Sequence, residues 1–76
     1  MAVEIVAEMV ANVLKVVCAE GDRVAVGDTV VILESMKMEI PVLTEVAGTV
    51  ATVAVAVGDV VQGGDLIATV DPAPDA

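Results

Sequence analysis

Gly21-Asp22-Arg23-Val24 recurs later in the chain as Gly58-Asp59-Val60-Val61, at an offset of 37 residues. The register holds beyond this turn, because Gly27-Asp28 falls on Gly64-Asp65 at the same offset. Apolar positions superpose as well: Val13 on Val50, Val16 on Val53, Val30 on Ile67 and Leu33 on Val70. A repeat of this kind predicts two half-domains built on one plan.

Short apolar stretches separate the Gly-Asp pairs within each half. Glycine accepts a positive φ and aspartate hydrogen-bonds to nearby backbone, so these pairs are typical of turns between strands. Four strands per half are predicted, over Val3–Ala7, Asn12–Ala19, Arg23–Val26, Thr29–Met36, Met38–Thr44, Thr49–Val57, Val60–Gln62 and Leu66–Val70. A helix over Ala2–Val17 is the alternative, but β-branched residues and the match to the second half favour strands there.

Neither half can bury its apolar face alone. The two halves are therefore expected to interlock as an all-β, eight-stranded flattened barrel or sandwich with pseudo-twofold symmetry. Residues 1–70 form the single domain of this prediction. Residues 71–76 are expected to be a disordered C-terminal tail.

The composition excludes several classes of function. The chain contains no His, Phe, Tyr or Trp, so it lacks the commonest general base and metal ligand. Cys18 is the only cysteine and cannot form a disulfide or a cysteine metal cluster within the chain. Its apolar neighbourhood predicts a core or half-buried residue. Neither catalysis by this chain alone nor a bound metal is expected.

The charge restricts the partners. Twelve acidic residues against three basic ones give a formal net charge of −9, which disfavours contact with phosphate backbones, so nucleic acid is not an expected partner. Met1–Val10 carries two glutamates and no basic residue, unlike the start of a signal peptide, and charges recur too often for a membrane span. A cytoplasmic location without a membrane partner is expected.

The junction of the two repeats lies within Glu34-Ser35-Met36-Lys37-Met38-Glu39-Ile40-Pro41. Residues 33–40 contain no Gly, Asn or Pro and look locally like one continuous strand, with Met36 and Met38 on one face and Lys37 on the other. A solvated lysine on a half-buried strand explains this pattern equally well. The repeat adds that two equivalent halves must be joined by a crossing or hairpin, whose midpoint falls at Lys37.

Glu34-Ser35-Met36-Lys37-Met38 resembles the acceptor motif of the biotinyl domain family, usually Glu-Ala-Met-Lys-Met. Framework stretches are similar too, at Glu20–Val30, Ala47–Val50 and Val57–Val61, and the resemblance covers Val3–Val70. It implies an eight-stranded flattened barrel with Lys37 on a tight hairpin between the fourth and fifth strands.

Two departures from the family pattern concern the first half. Glu8-Met9-Val10-Ala11 stands where many relatives have a Pro-Met-x-Gly-like stretch. The link from Ala11 to Gly21 is too short for the protruding thumb of many bacterial acetyl-CoA carboxylase carriers, which makes that subclass a less favoured assignment.

The resemblance implies a non-catalytic biotin carrier. Lys37 would be biotinylated by a biotin protein ligase and would carry carboxylate on biotin between biotin carboxylase and carboxyltransferase subunits. An unperturbed lysine has a pKa of about 10.4, so the amine must be exposed and lose a proton before it attacks. Strand-like sequence begins almost at Met1, so we expect a monomer without a tether, reaching its partners by diffusion or stable contacts.

The residues that flank Lys37 have two interpretations each. Met36 and Met38 either cover the barrel end or form a soft apolar surface for partners. Glu34, Ser35 and Glu39 belong either to a solvated face or to a docking contact with the ligase or a carboxylase. A lipoyl carrier, whose lysine usually has Asp before it and Ala after it, is the first alternative function. An unmodified acidic interaction module is the second.

Overall fold

The computed structural model describes residues 2–73, and within them it contains strands and no helix. The eight strands are β1 Val3–Val6, β2 Ala11–Val16, β3 Arg23–Val24, β4 Thr29–Ser35, β5 Met38–Leu43, β6 Gly48–Val53, β7 Val60–Val61 and β8 Leu66–Pro72. The number and order of the predicted strands are confirmed. The helix considered for Ala2–Val17 is wrong, because β1 and β2 occupy that stretch.

The strands form two antiparallel four-stranded sheets. The first sheet has the order β1-β8-β6-β3, and the second has the order β5-β4-β2-β7. Each half of the repeat contributes two strands to each sheet, so neither sheet is built from one half alone. The predicted interlocking of the halves in a flattened all-β sandwich is confirmed.

The two sheets are related by the offset of the repeat. Moving each of β2, β3 and β4 by 37 residues reproduces the bounds of β6, β7 and β8. Hydrogen bonds between the halves follow the same rule: Gly21 N–H donates to the Val50 carbonyl at 2.8 Å, and Gly58 N–H donates to the Val13 carbonyl at 2.9 Å. The pseudo-twofold symmetry therefore extends to individual backbone contacts.

The core lies between the sheets and is aliphatic. Its most deeply buried side chains form pseudo-equivalent pairs, which are Val13 with Val50, Val30 with Ile67, Val31 with Ala68 and Leu33 with Val70. Thr44 is the buried polar residue in the described part of the chain, at the position equivalent to Ala7. Its hydroxyl donates to the Val46 carbonyl at 2.7 Å, so burial leaves this group satisfied.

Four tight turns carry the Gly-Asp pairs. The glycines Gly21, Gly27, Gly58 and Gly64 have φ between 92° and 94°. The aspartate after each glycine accepts a hydrogen bond from the backbone N–H three residues before it, at 2.8–2.9 Å. A glycine with positive φ at the third position is the signature of a type II turn, so the sequence assignment of these turns is confirmed.

Replacing Gly21 or Gly58 with valine is expected to destabilise the domain by about 1–2 kcal/mol at either position. A Cβ at either glycine meets no atom within 4 Å, so the cost arises from holding a β-branched residue at positive φ. Urea denaturation of both variants measures it, with Gly63→Ala as a control at a glycine that has ordinary φ and space. A loss at Gly21 with none at Gly58 would contradict the equivalence of the two turns.

The end of the chain differs from the prediction. Strand β8 continues through Asp71 and Pro72, and Ala73 N–H donates to the Ala47 carbonyl at 2.9 Å. The tail expected over residues 71–76 is therefore wrong at its start, because pairing with β6 extends the strand. Residues 74–76 lie outside the described residues. Over residues 2–73, no helix is long and apolar enough to cross a membrane.

Candidate functional site

Lys37 lies at the tip of the hairpin that joins β4 to β5. Ser35 and Met38 are the last paired residues of the two strands, so Met36 and Lys37 form a two-residue loop. The Lys37 side chain is exposed. The tight hairpin between the fourth and fifth strands, which the family resemblance implied, is confirmed.

The backbone of this loop is unusual. Met36 has a φ of 52° and Lys37 a φ of 66°, and they are the only non-glycine residues with positive φ in the described chain. Two consecutive left-handed residues in a two-residue loop define a type I′ turn, whose twist matches that of the flanking strands but which normally uses Asn and Gly. The local impression of a continuous strand over residues 33–40 is wrong, because tertiary pairing imposes a turn without turn residues.

Met36→Asn is expected to stabilise the domain by about 0.5–1 kcal/mol. Asparagine adopts the left-handed region more readily than methionine does, and the exposed methionine side chain gives up little packing when it is replaced. Thermal unfolding measures the gain. Met38→Asn is the matched control, since Met38 is a strand residue without positive φ, and a similar gain there would contradict the explanation by backbone strain.

The two methionines beside Lys37 point away from the core. Met36 is 91% exposed and Met38 is 65% exposed. The interpretation as cover for the barrel end is therefore wrong for Met36, whose side chain is almost fully exposed at the turn, whereas Met38 belongs to strand β5 and is partly covered. Apolar surface therefore lies on both sides of the exposed Lys37 amine.

Glu34 and Glu39 lie directly opposite each other on β4 and β5, one pair inward from Ser35 and Met38. Glu39 is exposed, whereas Glu34 and Ser35 are half-buried. Like charges at opposed positions of antiparallel strands destabilise the pair. Whether these residues form a solvated face or a docking contact stays a prediction.

A shallow depression of about 360 Å³ adjoins the hairpin. Glu34, Ser35, Met36 and Lys37 line one side of it, and the other lining residues are Val10, Ala11, Asn12 and Val60. Val10 and Val60 are each 64% exposed. Sequence reasoning missed these two valines, because they come from segments far from Lys37 in the chain and only the fold brings them to the hairpin.

Cys18 does not have the properties of a reactive cysteine. It is buried, as its apolar neighbourhood predicted. Burial raises the pKa of the Cys18 thiol, and the nearby Asp22 carboxylate raises it further, so the thiol stays protonated at neutral pH. Residues 2–73 also hold no group of three or more side chains suited to a metal ion.

Comparisons with known proteins identify relatives of the chain. A family model described as "Biotin-requiring enzyme" matches residues 1–70. A biotinylated protein TB7.3 homolog of Mycobacterium leprae is 61% identical over 70 residues, covering 92% of this chain and 99% of that protein. A biotin carboxyl carrier protein of Streptococcus mutans is 39% identical over 64 residues, covering 84% of this chain and 49% of its own length.

The fold has a counterpart inside a much larger enzyme. In the crystal structure of the urea carboxylase of Kluyveromyces lactis, a region superposes with a TM-score of 0.88 at 37% identity. The match covers 93% of this chain and 6% of the urea carboxylase chain. The same small domain thus occurs both as a short protein and as one part of a multidomain carboxylase.

Proposed function

This chain belongs to the biotin-requiring enzyme family and is a biotin carrier with covalently attached biotin, and from that premise we propose that the attachment residue is Lys37. The observation that carries the proposal is the exposed lysine at the tip of a two-residue hairpin between two exposed methionines. An acyl acceptor must enter the active site of a modifying enzyme. The two-residue hairpin tip presents an exposed lysine that can do so.

The residues present fit covalently bound biotin. A lysine amine forms a stable, uncharged amide with the carboxyl group of biotin, and the exposed tip leaves the arm free to extend from the domain. Bound biotin supplies the ring nitrogen that takes up and releases carboxylate. The chain itself holds the arm on a rigid turn and presents apolar side chains around its base.

The proposed partners follow from this role. The similar proteins include one region of a urea carboxylase, which supports carboxylases as partners. We assign biotinylation to a biotin protein ligase and the later steps to biotin carboxylase and carboxyltransferase subunits, with this chain as a non-catalytic monomeric carrier. Activation of biotin as its adenylate consumes ATP, so we place the carrier in the cytoplasm.

The lipoyl alternative is not favoured. Lipoyl carriers share the fold, but the Lys37 flanks are methionines in place of the usual Asp and Ala, and the Mycobacterium leprae relative is described as biotinylated. Peptide mass mapping of protein purified from its native cells tests the assignment. We expect a biotin adduct on the peptide that contains Lys37. A lipoyl adduct, or an unmodified Lys37 beside a modified Lys15, would overturn it.

Met36→Leu and Met38→Leu are expected to label with biotin to near wild-type extent but to support carboxyl transfer about tenfold more slowly. Leucine has nearly the volume of methionine, so the ligase should still recognise the hairpin. In carboxyl transfer the biotin ring enters a carboxylase site with these side chains against the rim of that site, so a small displacement of the ring slows the reaction. The paired measurement is avidin shift and carboxylation rate at saturating carboxylase. Poor labelling with normal turnover per labelled molecule would place both methionines in ligase recognition instead.

A further inference from the structure

A groove separate from the hairpin runs between strands β1 and β5. Its volume is about 310 Å³, and it is lined mainly by Val3–Val6 of β1, by residues 40–43 of β5 and by the residues that follow each of these two strands. Side chains of Ile5, Ile40 and Val42 are half-buried against the core. Val6, Met9 and Leu43 are each 40–46% exposed and form its apolar rim.

Both walls of this β1–β5 groove are sheet edges. Within the described residues, β1 pairs only with β8 and β5 pairs only with β4, so each strand has one side without a strand partner. β1 and β5 belong to different sheets and occupy equivalent positions in the two halves. The two walls of the groove are therefore related by the pseudo-twofold symmetry of the domain. An open edge presents unpaired backbone donors and acceptors to an extended segment of another chain. Pro41 removes one donor from β5, which limits how continuous such pairing can be.

The negative charge of the groove indicates which kind of segment can bind there. Glu4, Glu8 and Glu45 line it, and no lysine or arginine does. Glu8 and Glu45 are also pseudo-equivalent, and each lies two residues past the end of its strand, so a carboxylate stands just beyond each wall. A second copy of this chain would place its own carboxylates next to these, and the repulsion would cost free energy of association. An extended apolar segment that carries lysine or arginine complements both the rim and the charge.

The groove is placed to hold a partner without covering the attachment site. Its lining along β5 begins at Ile40, three residues from Lys37, which is roughly 10 Å at the strand rise of about 3.4 Å per residue. A partner seated along β5 would keep the hairpin tip free and at a constant distance from the contact. Docking of this kind raises the local concentration of the biotin arm at the partner.

We propose that the β1–β5 groove is a docking site for an extended, apolar segment flanked by Lys or Arg on a biotin carboxylase subunit. This inference rests on the proposed function, because the partner class comes from it. It adds a second contact, at Glu8 and Glu45, to the hairpin at Lys37. Binding at the groove would not require biotin.

The test measures binding of the purified biotinylated protein to the biotin carboxylase subunits of its own organism, one at a time, by isothermal titration calorimetry. Glu8→Lys/Glu45→Lys is expected to raise the Kd about tenfold, the effect of reversing two charges in a contact. Glu20→Lys/Asp71→Lys changes the net charge equally outside the groove and is expected to bind as wild type does. Rising salt should weaken wild-type binding more than binding of the groove variant.

Three results would overturn the docking proposal. Unbiotinylated Lys37→Arg protein should bind with a wild-type Kd. If it fails to bind while the Glu8→Lys/Glu45→Lys protein binds as wild type does, biotin carries the contact and the docking proposal is overturned. Equal weakening by both double variants would reduce the effect to net charge and also overturn it. A wild-type dimer in sedimentation equilibrium that the groove variant lacks would assign the groove to a second copy.

The proposed function fails by a different result. Incorporation of radiolabelled bicarbonate with ATP and the same carboxylases reports whether the protein is a carboxyl acceptor. Absence of incorporation with every carboxylase would overturn the carrier role and the docking proposal together. Incorporation that is equally efficient in the wild type and the groove variant at limiting carrier concentration would overturn the docking proposal alone.

Discussion

Lys37→Arg is expected to abolish biotinylation completely while leaving the domain folded. The guanidinium group stays protonated and cannot act as the acyl acceptor, and the exposed hairpin tip gives up no packing in the exchange. Avidin shift after incubation with a biotin protein ligase, biotin and ATP measures labelling. The free energy of unfolding should change by less than about 0.5 kcal/mol, as for other surface substitutions.

The matched control is Lys15→Arg. Lys15 is exposed on β2 and pairs with Ile32, inside a strand that offers no free loop to a modifying enzyme. This variant should label as wild type does. Residual labelling of the Lys37→Arg protein, at Lys15 or at the N-terminal amine, would remove the assignment of the attachment site even though the protein is a biotin carrier.

Gly48→Ala is expected to produce the largest loss of stability, about 3 kcal/mol. A Cβ at Gly48 would collide with the Asp71 carbonyl, whose carbon would lie 2.8 Å away, and with the Pro72 Cα at 2.9 Å. These are backbone atoms of β8 that cannot rotate aside, so β6 and β8 must move apart and disturb the core. Against a total stability of about 4–11 kcal/mol for a domain of this size, the loss is severe.

The repeat supplies the control for Gly48. Ala11 occupies the equivalent position in the first half, is buried and is compatible with strand β2. Ala11→Gly should cost only about 1 kcal/mol, from backbone entropy and a lost methyl group. Urea denaturation of both variants gives the comparison. Equal, small losses at the two positions would show that β8 yields readily and that the close approach at Gly48 is not a constraint.

Much of the fold was predictable because its signals are local. The four Gly-Asp turns depend on one residue with positive φ and one side-chain cap, and both are properties of the turn residues themselves. Eight strand positions followed from these turns and from the repeat. The boundary of β8 was placed too early, because Asp71 and Pro72 are held by pairing with β6 and by no feature of their own composition.

The candidate site was predictable in part. The motif around Lys37 and the midpoint of the repeat both indicated a hairpin there, whereas residues 33–40 carry no local turn signal. The exposure of Met36 overturned the interpretation of that residue as cover for the barrel end. The sequence did not indicate that Val10 and Val60 lie beside the hairpin or that β1 and β5 are the two walls of one groove, because these segments are far apart along the chain.

The turns, the order of the strands, the two equivalent halves and the lysine at their junction can be predicted from the amino-acid sequence, because each depends on neighbouring residues or on a repeat along the chain. The sheet to which each strand belongs, the positive φ of Met36 and Lys37, and the close approach of Gly48 to β8 become visible in the folded structure. These depend on contacts between residues far apart in sequence. Such contacts can override the preference of methionine for negative φ and can demand a glycine where the first half accepts alanine.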